Sequence, residues 1–527
     1  MKIFAPHALD FYKADHAPQY PKNTTMVYSN ETPRSASRAS HVRLEMDGHE
    51  TVLFAGLTGW IKWFLIDCWN ESFFSQPKEK VLAKYKRRMD NALGPGAVSI
   101  DRLAALHDLG FMPLHIKALP EGSLVPMRVP MFTLRNTHEK HPDFFWLTNY
   151  IESVMSADTW KTITNATTAH QYATVLRKYA ELTGTHPDFC AWQGHDFSFR
   201  GLSGVHDAAQ SGFGHLLSFY GTDTVPAIDY AEDYYNADSD KEMVGGSVPA
   251  SEHSVMCAGG DTGEVETIRR LISEIYPSGI VSVVSDTWDF WNVITKTALE
   301  LKDVILNRPV NALGMAKVVF RPDSGDPVKI LTGYTPDEYH AYNGPTSSNK
   351  AFTCKVTGKL LSSLEIKGAV ECLWDIFGGT TTDKGFKQLN ERVGLIYGDS
   401  ITISRANEIL QRLMSKGFAS GNVVFGIGSY TYQHITRDTY GMAVKATAVI
   451  VDGELRELFK DPKTDDGMKK SAKGLLRVER EGDTFVLYDQ QTWEQEASGA
   501  LETVFLDGKL VKDQSLDEIR ARVGFIK

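Results

Sequence analysis

Apolar residues recur at helical spacing in two early stretches, AGLTGWIKWFLIDCWNESFF from Ala55 and KEKVLAKYKRRMDNAL from Lys78, the second ending at Gly94-Pro95-Gly96. Both read as packing helices. From Leu114, LHIKALPEGSLVPMRVPMFTLRN alternates apolar and polar positions around Pro120, Gly122 and Pro126, which predicts short strands joined by turns. A long helix is expected from about Asn149 to Leu182. Beyond it, short β-branched runs separated by helix-length segments predict parallel strands with crossover helices. The last ninety or so residues change pattern again. KATAVIVDGELRELF, LLRVEREGDTFVLYD and LETVFLDGKLVKD alternate around Asp452-Gly453, Gly482-Asp483 and Asp507-Gly508, which are hairpin signals.

The expected architecture is therefore α/β, with parallel strands in a barrel or an open sheet plus a largely antiparallel second unit. Polar stretches such as NGPTSSNK at Asn343 stand between 331 and 390. Residues 1–160 and 440–527 would pair as one discontinuous α+β domain.

Length and composition narrow the function classes. At roughly 150 residues per domain, 527 residues make two to four units. Hydrophobic residues at 42% and charged residues at 23% are those of a globular protein, and no apolar run reaches the ~18 residues a membrane span needs. Lys+Arg 56 against Asp+Glu 66 gives a net charge of -10, the wrong sign for general nucleic-acid binding, so any phosphate site must be local. The five cysteines form no CxxC and no zinc spacing, which predicts free thiols in a reducing compartment. The first residues, MKIFAPHALDFYKADHA, lack a secretory h-region, and a cytoplasmic location is expected.

Four predicted strands deliver polar residues at their carboxyl ends: IVSVVSD to Asp286, KVVFRPDSGD to Asp326, VGLIYGD to Asp399 and NVVFGIGS to Ser429. In parallel α/β folds the loops after these ends converge on one ligand-binding rim. Arg321, Asp323, Ser324 and Asp326 supply a guanidinium, carboxylates and a hydroxyl suited to a Mg²⁺-bearing polyphosphate, although DSGD is equally good turn chemistry. Gly426-Ile427-Gly428-Ser429 would let backbone N–H groups approach a phosphate, with Arg437 as a further cation. It is neither a Walker A loop nor a dinucleotide fingerprint. His195 to Gly201 (HDFSFRG), Gly221 to Val225 (GTDTV) and Ser247 to Ser254 (SVPASEHS) are polar turn segments that spacing alone cannot assign.

Taken in order, DFYKADHAPQYP, WLTNYIES, HDFSFRG, GTDTV, SVPASEHS, VSVVSD, RPDSGDP, YGD, FGIGS, TRD and FKDP resemble the nicotinate/nicotinamide phosphoribosyltransferase family of type II phosphoribosyltransferases over nearly the whole chain. The resemblance implies an irregular α/β barrel over residues 161–439 with an insertion or lid near 331–390, in a cytosolic homodimeric enzyme that joins nicotinamide to 5-phosphoribosyl 1-pyrophosphate in NAD salvage, with Mg²⁺ and ATP. It implies that Arg200, Arg321, Asp323, Ser285, Asp286, Gly398 and Asp399 face ribose and pyrophosphate, and that Gly428, Ser429, Arg437 and Lys445 hold the 5'-phosphate. The pyridine would lie between Phe197 and the partner's Tyr12, Arg34 would come from the partner, and Asp223 would accept from the carboxamide. His253 would be phosphorylated by ATP, with lysines near Lys460 and Lys469 on its phosphates. Nicotinate phosphoribosyl transfer and a non-catalytic nucleotide-binding or signalling role are the alternatives. The chain departs from the family pattern at Ser198 and Phe199, in the short Gly428-Ser429-Tyr430 run, and in GDS-ITIS, which lacks a second acidic residue.

Overall fold

The computed structural model describes residues 3–44, 50–342, 350–398, 400–459 and 472–526. Its centre is a parallel sheet of six strands, in spatial order Gly221–Thr222, Gly194–Asp196, Val423–Ile427, Val393–Tyr397, Ala316–Arg321 and Gly279–Val284. The four strands predicted from β-branched runs are all among them. Burial alternates along Ala316–Arg321: Val318 and Phe320 are buried, while Lys317, Val319 and Arg321 are half-buried. This is the period of two that a strand imposes on its faces. Val281, Val318, Phe320, Leu395, Phe425 and Ile427 join one apolar core with the surrounding helices.

The sheet curls because a non-periodic segment bridges its two outer strands. Gly246 pairs with Gly221 and Ala250 with Ser282, both in parallel sense. Thr222 donates its N–H to Gly246 O at 3.0 Å, and Ser282 donates to Pro249 O at 2.8 Å. Pro249 has no N–H to add, so the closure is short and irregular. It runs into SVPASEHS, which also carries His253.

A seven-stranded sheet in the order Glu454–Glu457, Ala443–Val451, Thr24–Thr32, Phe132–Asn136, Leu114–Ala118, Glu502–Leu506 and Lys509–Leu510 interleaves strands from both ends of the chain. Its pairings are antiparallel, with Asn30 opposite Lys445 and Glu31 opposite Val444. Asp452 and Gly453 take φ of 54° and 81°, the left-handed pair that a tight hairpin turn requires. Helix Glu152–Thr183 contacts the main elements of both sheets' surroundings, and most of its polar threonines are buried, with several hydroxyls bonded to carbonyls four residues back.

Between 331 and 390 the chain forms a small sheet of Tyr339–Ala341, Lys350–Cys354 and Leu360–Ser362, two short helices, and a hairpin of Gly379–Thr381 with Lys387–Leu389. Arg412, on helix Ile403–Ser415, and Lys329 both pair with Glu338 and pin this region to the barrel. Ala369–Phe377 contributes buried apolar residues to the barrel core, so the segment is partly structural. The Asn343 stretch lies outside the described residues.

Candidate active site

The carboxyl ends of the parallel strands meet at one polar rim. Arg321 ends its strand with its guanidinium turned toward the closing segment, donating from Nη2 to Ser251 O at 2.6 Å. Its backbone N–H donates to Ser285 Oγ at 3.2 Å, and Ser285 N–H returns a bond to Arg321 O at 3.1 Å. Burial lowers the Arg321 pKa, Asp323, Asp223 and Asp286 oppose that shift, and Arg200 adds to it. These five charged groups are therefore electrostatic neighbours.

Asp286 organises the DSGD loop. Its Oδ2 accepts from the N–H groups of Asp323 and Ser324, both at 2.9 Å, and from Ser324 Oγ at 2.6 Å. Its Oδ1 is buried and has no hydrogen-bond partner. His253 Nε2 lies 4.0 Å from that oxygen and 3.4 Å from Asp323 Oδ1, while its Nδ1 is 3.5 Å from Thr287 Oγ1. One ligand atom from each of His253, Asp286 and Asp323 falls within 4.8 Å of the others. Gly398 packs here too: a Cβ on it would sit 3.3 Å from Asp323 Cβ. Asp399 lies outside the described residues, as do the lysines at 460, 469 and 470.

Asp223 stands on the opposite side of the rim. His195 Nε2 at 2.9 Å and Ser247 Oγ at 2.5 Å both bond its Oδ1, which leaves Oδ2 for a ligand. Burial pushes the carboxyl pKa up, but the His195 and Ser247 bonds and the Arg321 charge outweigh it, so the group is held below the usual carboxylate range. Phe197 follows at the end of its strand, its ring 4.8 Å from the His195 ring. Gly426 makes room for it: a Cβ there would lie 2.5 Å from Phe197 Cδ2 and 2.8 Å from Tyr397 O. His195 and Ser247 become partners of Asp223 only in the folded chain, since no spacing rule links two residues 52 positions apart.

Arg200 is exposed on the turn Phe199–Gly201, and Gly201 presses against Ser429, whose Oγ is 2.1 Å from where a Gly201 Cβ would be. Gly428 has open space on its Cβ side and precedes the short helix Ser429–Tyr432. Lys445 has charged neighbours from several parts of the chain. Burial lowers the Lys445 pKa, Glu152 opposes it, and Arg34, Arg437 and Lys13 depress it further. Arg34, Arg437 and Lys13 are thus electrostatic neighbours of Lys445, and Arg34 Nε donates to Gly441 O at 2.7 Å. Lys13, buried against Glu152 at 2.9 Å, carries the neighbouring Tyr12, which is 61% exposed. One chain therefore presents the rim and an aromatic-cationic patch that includes Tyr12 and Arg34.

The same architecture occurs in solved structures. A nicotinate-nucleotide pyrophosphorylase from Pyrococcus furiosus matches 99% of this chain and 95% of its own at TM-score 0.54 and 12% identity. The human nicotinic acid phosphoribosyltransferase matches 98% and 94% at TM-score 0.51 and 14% identity. The chain thus has the mixed α/β fold of these two proteins. A nicotinamide phosphoribosyltransferase of Acinetobacter baylyi is 57% identical over 517 residues, 98% of this chain and 96% of the relative. One from Mycoplasma pneumoniae is 33% identical over 357 residues, 67% and 69% of the two chains. With residues 192–509 matching the family model, the chain belongs to the nicotinate phosphoribosyltransferase (NAPRTase) family, and it is a pentosyltransferase. No helix among the described residues is long and apolar enough to cross a membrane.

Proposed function

We propose that this chain transfers the phosphoribosyl group of 5-phosphoribosyl 1-pyrophosphate to nicotinamide, forming nicotinamide mononucleotide and pyrophosphate as a step of NAD salvage in the cytoplasm. The observation that carries the choice of pyridine is Asp223, ionised and with Oδ2 open. A carboxamide N–H donates to that oxygen, whereas the carboxylate of nicotinic acid sets a second anion against it, an apposition costing several kcal/mol, on the order of a hundredfold or more in preference. The 57% identity to a relative named for nicotinamide supports the same reading.

In the transfer, the pyridine nitrogen attacks ribose C1 as the C1–O bond to pyrophosphate breaks. The bonding pair leaves with pyrophosphate, the new N–C1 bond makes a pyridinium, and no proton moves. Phe197 sets the ring plane, and Arg200 and Arg321 stabilise the negative charge that develops on the leaving group. Mg²⁺ suits the carboxylate oxygens of Asp286 and Asp323, since Asp286 Oδ1 is a buried oxygen without a hydrogen-bond partner. When bound there, the ion neutralises polyphosphate charge. Gly428 and Ser429 receive the 5'-phosphate.

Two further features complete the proposal. His253, 47% exposed and oriented by Asp323 and Thr287, accepts the γ-phosphoryl group of ATP, an N–P bond replacing the P–O bond to ADP. A homodimer brings the partner's patch of Tyr12, Arg34, Arg437 and Lys445 over the rim, so that Tyr12 faces Phe197 across the pyridine and the cations meet the phosphates. Nicotinamide mononucleotide formation, measured with and without ATP and with nicotinic acid as competitor, tests the reading. Turnover that favours the acid overturns the Asp223 argument, and no turnover of either pyridine overturns the function.

A further inference from the structure

The long helix Glu152–Thr183 carries none of the residues assigned to the site, yet it bonds to helix Val205–Leu216, which follows the Arg200 turn, and to the end of the short helix that starts at Ser429. Lys161, buried on this helix, donates Nζ to Asp207 Oδ2 at 2.6 Å and to Gln433 Oε1. Asp207 Oδ2 also accepts Ser203 N–H at 2.7 Å, and Gln433 Nε2 donates to Ser203 Oγ at 2.7 Å. Lys161, Asp207, Ser203 and Gln433 therefore close a ring of four residues.

One turn further along the helix, on the same face, the pattern repeats. Asn165 Nδ2 donates to Ser211 Oγ at 2.6 Å and to Tyr432 O at 3.2 Å. Asp207 and Ser211 are likewise four residues apart on helix Val205–Leu216. Gly214 lets the two helices approach, since a Cβ on it would meet Ala166 N at 2.8 Å. Two polar rungs thus join the long helix to the base of the Arg200 turn and to the short helix that starts at Ser429.

We propose that this two-rung ladder is a positioning device that fixes the separation between Arg200 and the Gly428–Ser429 loop, and hence the fit of the phosphoribosyl donor. The inference rests on the proposed phosphoribosyl transfer. A buried lysine must be neutralised by acceptors of fixed geometry, so Asp207 and Gln433 cannot drift without leaving a buried charge unpaired. The two elements concerned meet at Gly201 and Ser429 with no slack, so a shift of one moves the other. None of the four ring residues needs to touch substrate.

The test uses the full-length enzyme with Asp207→Asn, Gln433→Met and the double variant, measuring KM for donor and for pyridine, kcat and thermal midpoint. Displacement of a binding group by about 1 Å costs up to ~100-fold in favourable cases, so each single variant should raise the donor KM by about tenfold, with the pyridine KM within about twofold. The double variant should be no worse than the poorer single one, because a ring opened once is already open. Donor and pyridine KM rising together, additive losses, or an unchanged donor KM overturn the proposal. Should Asp207→Asn not fold, Ser203→Ala, at an exposed position, opens the same ring and must give the same split. Wild-type turnover checks the underlying reaction separately, so the two failures are distinguishable.

Discussion

Replacing Gly426 by alanine probes the pyridine platform without removing any polar group of the rim. The new Cβ would lie 2.5 Å from Phe197 Cδ2, 2.8 Å from Phe197 Cε2 and 2.8 Å from Tyr397 O. The carbonyl belongs to the neighbouring strand and cannot swing away, so the Phe197 ring must move. Overpacking of this kind costs about 1–3 kcal/mol of stability. If the displaced ring loses its stacking on the pyridine, the aromatic contribution of ~0.5–1.5 kcal/mol is lost from binding. That corresponds to a roughly two- to twelvefold rise in the nicotinamide KM at about 1.4 kcal/mol per decade. Steady-state kinetics with each substrate varied, alongside thermal unfolding, separates the effects. The donor KM should stay within about twofold, because the substitution removes none of Arg200, Arg321 and Ser429. A destabilised protein with an unaltered nicotinamide KM would refute Phe197 as the platform.

Three other outcomes follow from the geometry. Because Asp223 is held below the usual carboxylate range, it remains charged as pH falls from about 7 to about 5, so preference for the amide should be flat over that window; Asp223→Ser should move preference toward nicotinic acid at every pH. His253→Ala should abolish ATP hydrolysis and raise the apparent nicotinamide KM while leaving basal transfer measurable, and coupling retained in the variant removes the histidine from its assigned role. Mixing Tyr12→Ala with Asp323→Ala subunits should restore part of the activity, since one hybrid site is intact; with exchange of subunits verified, an inactive mixture contradicts a shared site.

Much of the fold was legible because strands and hairpins write local signals. The Ala316–Arg321 and Val423–Ile427 runs are apolar and β-branched, and each ends at the polar residues that the rim uses. The Asp452-Gly453 turn appears where the left-handed conformation demands it. The barrel's closure was not legible. Gly246 to Ser251 carries a proline and no alternation, and it pairs only through two isolated bridges, so its place depends on the strands at each side. The site shows the same division. Arg321, Asp323 and Asp286 follow directly from their strands, whereas the attachment of Ser247 and His195 to Asp223 exists only after the sheet has curled. The neighbourhood of Lys445 with Arg34 is likewise invisible in the sequence, because it depends on the pairing of strand Ala443–Val451 with Thr24–Thr32. Lys161 gave no signal, since a lysine within a helix is ordinarily a solvated side chain.

A crystal of the dimer grown with nicotinamide mononucleotide tests the central claim most directly. The account predicts the pyridine stacked on Phe197 with the partner's Tyr12 on its other face, the carboxamide nitrogen at hydrogen-bond distance from Asp223 Oδ2, and the phosphate at Ser429. A nucleotide bound away from these side chains, or with its carboxamide turned from Asp223, would contradict it.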